Sequence, residues 1–315
     1  MATAGGALAA IEVHPLEYGE EPAWLEVESG SAVSCADAER IRGILAKTGA
    51  EGARCLLLAV LDGRPVGRLE GVFLNPKLYF VRELRASEEA DRGAVGVALL
   101  SHLTPSFAAD EIEVLSWDRT DSAHINAALE RAGFVVKKEK VFVEKNIEGL
   151  TAFREDPFTY RSLEEVGQAR FLEVMAPAAE GDPFEDAGAR DPEREFGELV
   201  SFAGDAFDPT WWRVAYLDED PIGVVLPQNF SGKRHEGTLF YVAVLPEFRG
   251  RGYGKVLHAS GLAFLAARGV TRYIGSTDAR NYPMIAVFRA NECEQTGRQL
   301  FYRALKREPG GERNA

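Results

Sequence analysis

At 315 residues the chain is long enough for two domains, each with its own core, and 46% apolar with 27% charged residues is the balance of an ordinary water-soluble protein. The 49 acidic residues outnumber the 36 basic ones for a net charge of −13, which argues against nucleic acid as the main partner and suits a cationic ligand. No stretch approaches the roughly 18 to 20 apolar residues of a membrane span; no Lys or Arg precedes Arg40, so the opening MATAGGALAA lacks a basic leader, and Cys35, Cys55 and Cys293 form no C-x-x-C, so a cytoplasmic protein without membrane anchor or disulfide framework is expected.

In the first half a strand is predicted near Ala10 to Leu16 and a helix from Ala36 to Lys47. The run CLLLAVLDGRPVGRLEGVF sets two apolar stretches around Asp62-Gly63, a strong hairpin signal. Then follow a strand at Lys77 to Leu84, a helix at Gly96 to Leu103, a strand at Glu111 to Trp117, a helix at Ser122 to Ala132 and a strand at Val135 to Glu144.

The second half repeats this order. Strand Phe158 to Leu163 and helix Glu164 to Met175 lead to a loop rich in Pro, Gly and acid from Ala176 to Arg190, helix Pro192 to Phe202, and a hairpin around Asp218-Glu219-Asp220-Pro221. Thr238 to Leu245 is apolar on both alternating faces and reads as a central strand buried on both sides. A helix after Gly254, a strand at Arg272 to Ser276, a helix at Pro283 to Ala290 and a strand at Arg298 to Tyr302 complete it. LAVLDGRPVG from Leu58 lies beside VAYLDEDPIG from Val214, and a period of about 150 residues marks a duplicated domain rather than a solenoid. The boundary is placed at about Glu148 to Glu155, giving domains 1–150 and 151–315.

Between the central strand and its helix lies Arg249-Gly250-Arg251-Gly252-Tyr253-Gly254. Glycines let the backbone curl and approach a ligand, while the helix start supplies unpaired N–H groups and the positive end of its dipole beside two guanidinium groups; such a place attracts phosphate. The dinucleotide pattern G-x-G-x-x-G fails because Lys255 stands three residues after Gly252. A Walker A loop fails because three residues, not four, separate Gly250 from Gly254-Lys255, and Val256 follows.

What the turn does match is Arg/Gln-x-x-Gly-x-Gly/Ala, met by Arg249, Gly252 and Gly254 after a strand ending in V-x-P-x-x-R. In this the chain resembles the GNAT superfamily of N-acetyltransferases, whose loop cradles the pyrophosphate of acetyl-CoA. The resemblance covers nearly the whole chain. It implies an α/β (α+β) fold of two tandem GNAT domains, each a mixed, mostly antiparallel sheet flanked by helices.

The halves differ where chemistry would occur. With Gly96 matched to Gly254, the family's glycine at Gly252 becomes Ala94 and its arginine at Arg249 becomes Asp91. Glu88, Glu89 and Asp91 would repel a pyrophosphate, so domain 1–150 is expected to be a degenerate repeat that binds no CoA and serves as a platform beside the acceptor cleft. For domain 151–315 the resemblance implies that backbone groups of Val242, Ala243 and Val244 hold the thioester and pantetheine arm. Amides of Gly250, Arg251, Gly252, Tyr253, Gly254 and Lys255 would hold the pyrophosphate, and Asn281 the CoA arm, with Met284 at a small apolar position. DARNYPMIAVFRANEC departs from the family's N-x-x-A-x-x-x-Y-x-x-x-G-F twice: Phe288 stands for Tyr, and Glu292-Cys293 for Gly-Phe.

The implied activity is acetyl transfer from acetyl-CoA to an amine by direct attack in a ternary complex, with a small amine rather than a protein as acceptor. The family's tyrosine often protonates the leaving thiolate, which Phe288 cannot do. Water, Tyr282 or Tyr241 would serve instead, or no donor is needed, since a free thiol titrates at about 8.5. Glu236 is the first candidate for the base that frees the amine, ahead of His235 and Asp278. A backbone N–H left unpaired near Val244, where the central strand splays from its neighbour, would steady negative charge on the thioester carbonyl. A non-catalytic acyl-CoA-binding or sensory protein is the alternative that Phe288 and the degenerate repeat keep open.

Other features carry less. His14, His102, His124, His235 and His258 show no metal-ligand spacing, so no metal is expected, and no G-x-S-x-G elbow occurs. Cys293 reads as core, as does one of Trp211 and Trp212, with the other along the acceptor cleft. Glu180, Asp182, Glu185, Asp186, Asp191, Glu193 and Glu195 read as a solvated acidic stretch that would also draw a cation.

Overall fold

The computed structural model describes residues 10–27, 39–46, 56–75, 77–106, 111–151, 156–179 and 191–305. They fall into two compact units, Met1–Glu139 with Arg298–Ala315, and Lys140–Gly297.

Unit 1 opens with β1 (Glu12–Pro15), α1 (Glu21–Glu26) and the helical residues 39–46 (α2). Leu16, Trp24, Leu25 and Ile41 from this region pack on Leu56 and Leu58 of β2 (Leu56–Leu61). β2 and β3 (Arg64–Asn75) form the predicted hairpin, in which Asp62 and Gly63 take φ of 51° and 73°, a left-handed pair whose twist suits the strands it joins. β4 (Leu78–Ala86) runs antiparallel to β3; after α3 (Arg92–Ser106), β5 (Glu111–Trp117) pairs parallel to β4, and α4 (Ala123–Arg131) leads into β6 (Val135–Asn146). Leu69, Tyr79, Val95, Leu99, Ile112 and Leu129 form the core between sheet and helices.

Unit 2 repeats the plan with β7 (Thr159–Ser162), α5 (Leu163–Val166), α6 (Gln168–Ala179), α7 (Pro192–Ala203), β8 (Arg213–Leu217), β9 (Asp220–Phe230) and β10 (Lys233–Val244). It ends with α8 (Tyr253–Ala267), β11 (Arg272–Asp278) and α9 (Tyr282–Ala290). The helix expected from Glu164 is two helices: a reciprocal Ser162–Glu165 cap starts α5, and Gly167 at φ 77° breaks the chain before α6. Asp191 caps α7 by accepting from the Arg194 N–H, and Pro192 fits the first helical position, where no amide partner is needed. Glu180, Asp182, Glu185 and Asp186 lie outside the described residues, as do Cys35 and Cys55.

The compact units do not follow the contiguous division at 1–150 and 151–315. The last strand of each repeat is exchanged. Lys140–Asn146 of β6 pairs antiparallel with β11 and completes the sheet of unit 2, while Gln299–Leu305 of β12 (Glu294–Leu305) pairs with β5 and completes that of unit 1. Alternating side chains suit either sheet equally, so nothing in the local pattern of these strands announces the exchange. Each sheet is mixed and mostly antiparallel, with one parallel pair, β4–β5 in unit 1 and β10–β11 in unit 2.

Candidate functional site

β10 is the strand on which the site is built, and it is more open than its sequence predicts. It pairs with β11 only at Glu236↔Arg272 and Gly237↔Tyr273. Beyond that point the two parallel strands part, and Thr238 to Val244 are half-buried rather than enclosed on both sides. On its other edge β10 stays paired to β9, with a bulge in which Phe240 and Tyr241 together oppose Leu226.

The register fixes which backbone groups face the opening. Leu245 N donates to Ile222 O at 2.8 Å, so that pair is a hydrogen-bonded one, and by the alternation of antiparallel ladders Ala243 is bonded to β9 as well. Val242 and Val244 between them turn their N–H groups toward the side that β11 has left. Gly223 is required opposite them, because a Cβ there would stand 2.1 Å from Ala243 O.

After β10 comes the glycine turn. Gly250 and Gly252 hold φ of 78° and 83°, and a Cβ on either would meet no atom within 4 Å, so the space over the turn is open. Gly252 is the N-cap of α8, and no side chain caps that helix. Lys255 N donates to Gly252 O at 3.1 Å, and the N–H groups before it are left without a side-chain cap, as an anion site needs. Both arginines of the turn bond to carbonyl groups of the chain. Arg249 donates from Nε to Val244 O and from Nη2 to Ala178 O, both at 3.0 Å, tying the strand end to α6. Arg251 donates to Glu247 O at 3.1 Å and lies over the Phe248 ring. Tyr253 packs edge-on against Phe158, and Gly254 lies 3.6 Å, as a built Cβ, from Val287 of α9.

The remaining sequence-derived residues are dispersed. Asn281 is the N-cap of α9, its side chain accepting from Met284 N at 3.1 Å. Phe288 is 2% exposed in the core that also holds Leu262, Tyr273 and Cys293, with Met284 at its edge. Tyr282 is 73% exposed, and Tyr241 packs at the border of the core on the α6 and α7 side. Glu236 is engaged by Lys233 and Arg272, each at 2.9 Å; the Lys233 bond, then the charges and the Arg272 bond, hold its carboxyl below the usual range despite some burial, so it is a weak base. His235 is exposed, and Asp278 is buried in a two-pronged pair with Arg280 at 3.0 Å. Trp212 is the buried tryptophan, while Trp211 is half-buried under Arg268. Burial pushes the Cys293 thiol up to about 11, against a smaller opposing effect of Lys145, so it is not a thiolate near neutrality.

Unit 1 shows what the same elements look like without the turn. Ser87 N donates to Val66 O at 2.8 Å as Leu245 N does to Ile222 O, and Gly96 and Gly254 stand equally far beyond those donors. From the same point α3 begins about one turn earlier than α8, winding Arg92, Gly93 and Ala94 into helix. Asp91 Oδ1 accepts from Ala94 N at 3.0 Å, so the chain's own carboxylate occupies the helix start. β4 has its bulge at Arg82, followed by Glu83 and Arg85. Glu83 is paired with Arg85 at 2.6 Å and with buried Arg68 at 3.0 Å, the latter stacked on Trp24.

One buried polar group near the turn escaped the sequence reading. His258 on α8 is fully buried, with Nε2 3.1 Å from Tyr273 Oη and Nδ1 3.0 Å from Asn291 Nδ2. Asn291 Nδ2 also donates to Lys255 O at 3.0 Å, which fixes the amide's orientation, makes His258 Nδ1 an acceptor and leaves the proton on Nε2. Burial, and secondarily Lys145, pushes the imidazole pKa down to about 3, so the ring is neutral. The position of His258 among the apolar residues of α8 is the signal that the sequence carries for this group.

Residues 174–291 match the acetyltransferase (GNAT) family. A mycothiol acetyltransferase from an Arthrobacter species is 32% identical over 94 residues, a match spanning 28% of this chain and 28% of that relative's length. Among solved structures, a GCN5-related N-acetyltransferase from Sphaerobacter thermophilus superposes with a TM-score of 0.61 at 18% identity, over 95% of this chain and 96% of that one. A tandem GNAT protein from the clavulanic acid biosynthesis pathway superposes with a TM-score of 0.55 at 16% identity, over 95% of this chain and all (100%) of the other. The match to the acetyltransferase (GNAT) family is thus confined to residues 174–291, within the second repeat, and the chain as a whole has a fold similar to that of tandem GNAT proteins.

Proposed function

We propose that unit 2 binds acetyl-CoA and transfers its acetyl group to a small amine by direct attack in a ternary complex. The observation that carries this is the uncapped start of α8 behind Gly250 and Gly252, next to a strand whose partner has parted from it. Acetyl-CoA supplies an activated acetyl thioester. The amides from Gly250 to Gly254 hold its pyrophosphate while Lys255 N closes the turn on Gly252 O, and the outward N–H groups of Val242 and Val244 orient the pantetheine arm, with Val244 steadying charge on the thioester oxygen. Arg249 acts indirectly by fixing the end of β10 through Val244 O.

Phe288 offers no proton and lies in the core, so thiol release relies on solvent or on exposed Tyr282. A small-molecule acceptor is supported by the mycothiol acetyltransferase relatives, and the net charge of −13 suits a cationic one. Unit 1, with Asp91 over its helix start, binds no CoA. The test is calorimetric titration of the full chain with acetyl-CoA, followed by thiol release against amines, polyamines, aminoglycosides and amino acids. One site per chain and amine-dependent release are expected; no heat of binding sinks the reading, and binding without release for every amine reduces the protein to an acyl-CoA sensor.

A further inference from the structure

The His258–Tyr273–Asn291 group has a counterpart in unit 1, and the counterpart is apolar. Leu100 stands as far beyond Gly96 as His258 beyond Gly254. Ile112 opposes Tyr79 on β4 as Tyr273 opposes Gly237 on β10. Ala132 and Asn291 are each the first residue after their helix, ahead of the same closing bond, Phe134 N to Leu129 O at 3.0 Å and Cys293 N to Phe288 O at 2.9 Å. Leu100 and Ile112 are buried and Ala132 packs against the same core.

The fold therefore closes here with Leu, Ile and Ala. Burying an imidazole, a phenol and an amide costs desolvation that only good hydrogen bonding offsets. The repeat that spends this is the one with the open glycine turn. The bonds also run in a consistent direction: Asn291, at the end of α9, grips Lys255 O and His258, both in the first two turns of α8, and His258 reaches across to β11.

We propose that His258, held between Tyr273 and Asn291, is a positioning residue that sets the first turns of α8, and with them the amides beyond Gly252, against β11 and α9. It touches no substrate. It keeps the helix start at the distance from the parted strands that the cofactor requires, where unit 1, with no cofactor to hold, needs only apolar packing. The inference rests on the reading of Gly250 to Gly254 as the pyrophosphate site.

The experiment measures the acetyl-CoA dissociation constant and cooperative melting of the full chain for wild type, His258→Leu with Asn291→Ala, Tyr273→Phe and His258→Gln. The double variant adopts unit 1's side chains at both ends of the contact and is expected to melt cooperatively, with Kd and KM for acetyl-CoA raised about tenfold and kcat within about threefold, as the loss of all three hydrogen bonds of the group predicts. Tyr273→Phe should raise Kd about threefold, and His258→Gln, whose amide both accepts and donates, should stay near wild type. A merely structural role would lower the melting temperature and leave the Kd of the folded protein unchanged. Wild-type affinity in the double variant, or in Tyr273→Phe should the double variant not fold, overturns the proposal alone. A wild-type chain that takes up no acetyl-CoA overturns the site and the positioning role together.

Discussion

The start of α3 and the turn before α8 occupy the same place in their repeats and differ in what satisfies their amides. In unit 1 the chain winds into helix early and Asp91 accepts from Ala94 N; in unit 2 two glycines with positive φ hold the chain out of the helix and no side chain caps it. The bulged strands differ in step. β4 carries Arg82, Glu83 and Arg85 in ion pairs, whereas β10 carries Phe240, Tyr241 and Ala243. The same fold accommodates both arrangements: in unit 1 the chain's own carboxylate satisfies a helix-start amide, and in unit 2 no side chain does.

The sharpest way to break this comparison is to give α8 the carboxylate of α3. Gly252→Asp keeps strain low, because Asp tolerates left-handed backbone better than most residues, and sets a negative charge at the helix start. Acetyl-CoA affinity should fall about 100-fold or more by like-charge repulsion. Gly252→Asn, of the same shape without the charge, separates the contributions. Calorimetry on both decides: equal losses would mean that bulk rather than charge excludes the ligand.

The second contrast is His258 against Leu100. The unfolded imidazole titrates near 6.5 and the folded one at about 3, so between these values the unfolded chain binds more protons and stability falls as pH drops. Going from pH 7 to 5, this one group should cost roughly 2 kcal/mol. The variant with Leu at 258 and Ala at 291 should lack that part of the loss in denaturant melts at the two pH values. An identical loss in both proteins would show that His258 is not held neutral.

A smaller effect tests unit 1. Asp91→Ala removes a side-chain cap and should cost about 1 kcal/mol of stability. Acetyl-CoA should still bind at one site per chain with unchanged affinity. A second binding site appearing in the variant would mean that Asp91 alone closes unit 1, against the additional winding of α3.

Local chemistry was readable in the sequence and long-range partnership was not. Asp62-Gly63 and Asp218 announce their hairpins because few residues accept positive φ, and Gly250 and Gly252 announce the turn before α8 for the same reason. The exchange of β6 and β12 left no trace, because a strand's alternation does not say which sheet will take it. The apolar run of β10 reads as enclosed, yet its half-buried state follows from β11 parting after Tyr273, which is set by the neighbouring strand. The motif and the charge of Arg249 point to phosphate, and the sequence does not announce its hydrogen bonds to Val244 O and Ala178 O, the latter far away in sequence. The polar group around His258 emerges only when the two repeats are laid side by side, where Leu100, Ile112 and Ala132 show what the fold alone would choose.

The last contrast concerns Glu236, a carboxylate at the start of β10 and the base suggested by the resemblance. A general base works best with a pKa near the working pH, and it must be free to take a proton. Glu236 meets neither condition: Lys233 and Arg272 share its two oxygens, and they hold its carboxyl below the usual range. Its position beside Arg272 is also the point where β10 and β11 are still paired, so its ion pair secures the closed end of the opening. Glu236→Gln keeps the shape and one acceptor and should leave kcat for amine acetylation within about threefold, with an unchanged pH profile, because the exposed pairs it loses are worth little. A fall in kcat beyond tenfold, with the alkaline shift in the pH–rate profile that loss of a base produces, would instead return Glu236 to the chemistry and require its ion pairs to open when the acceptor binds.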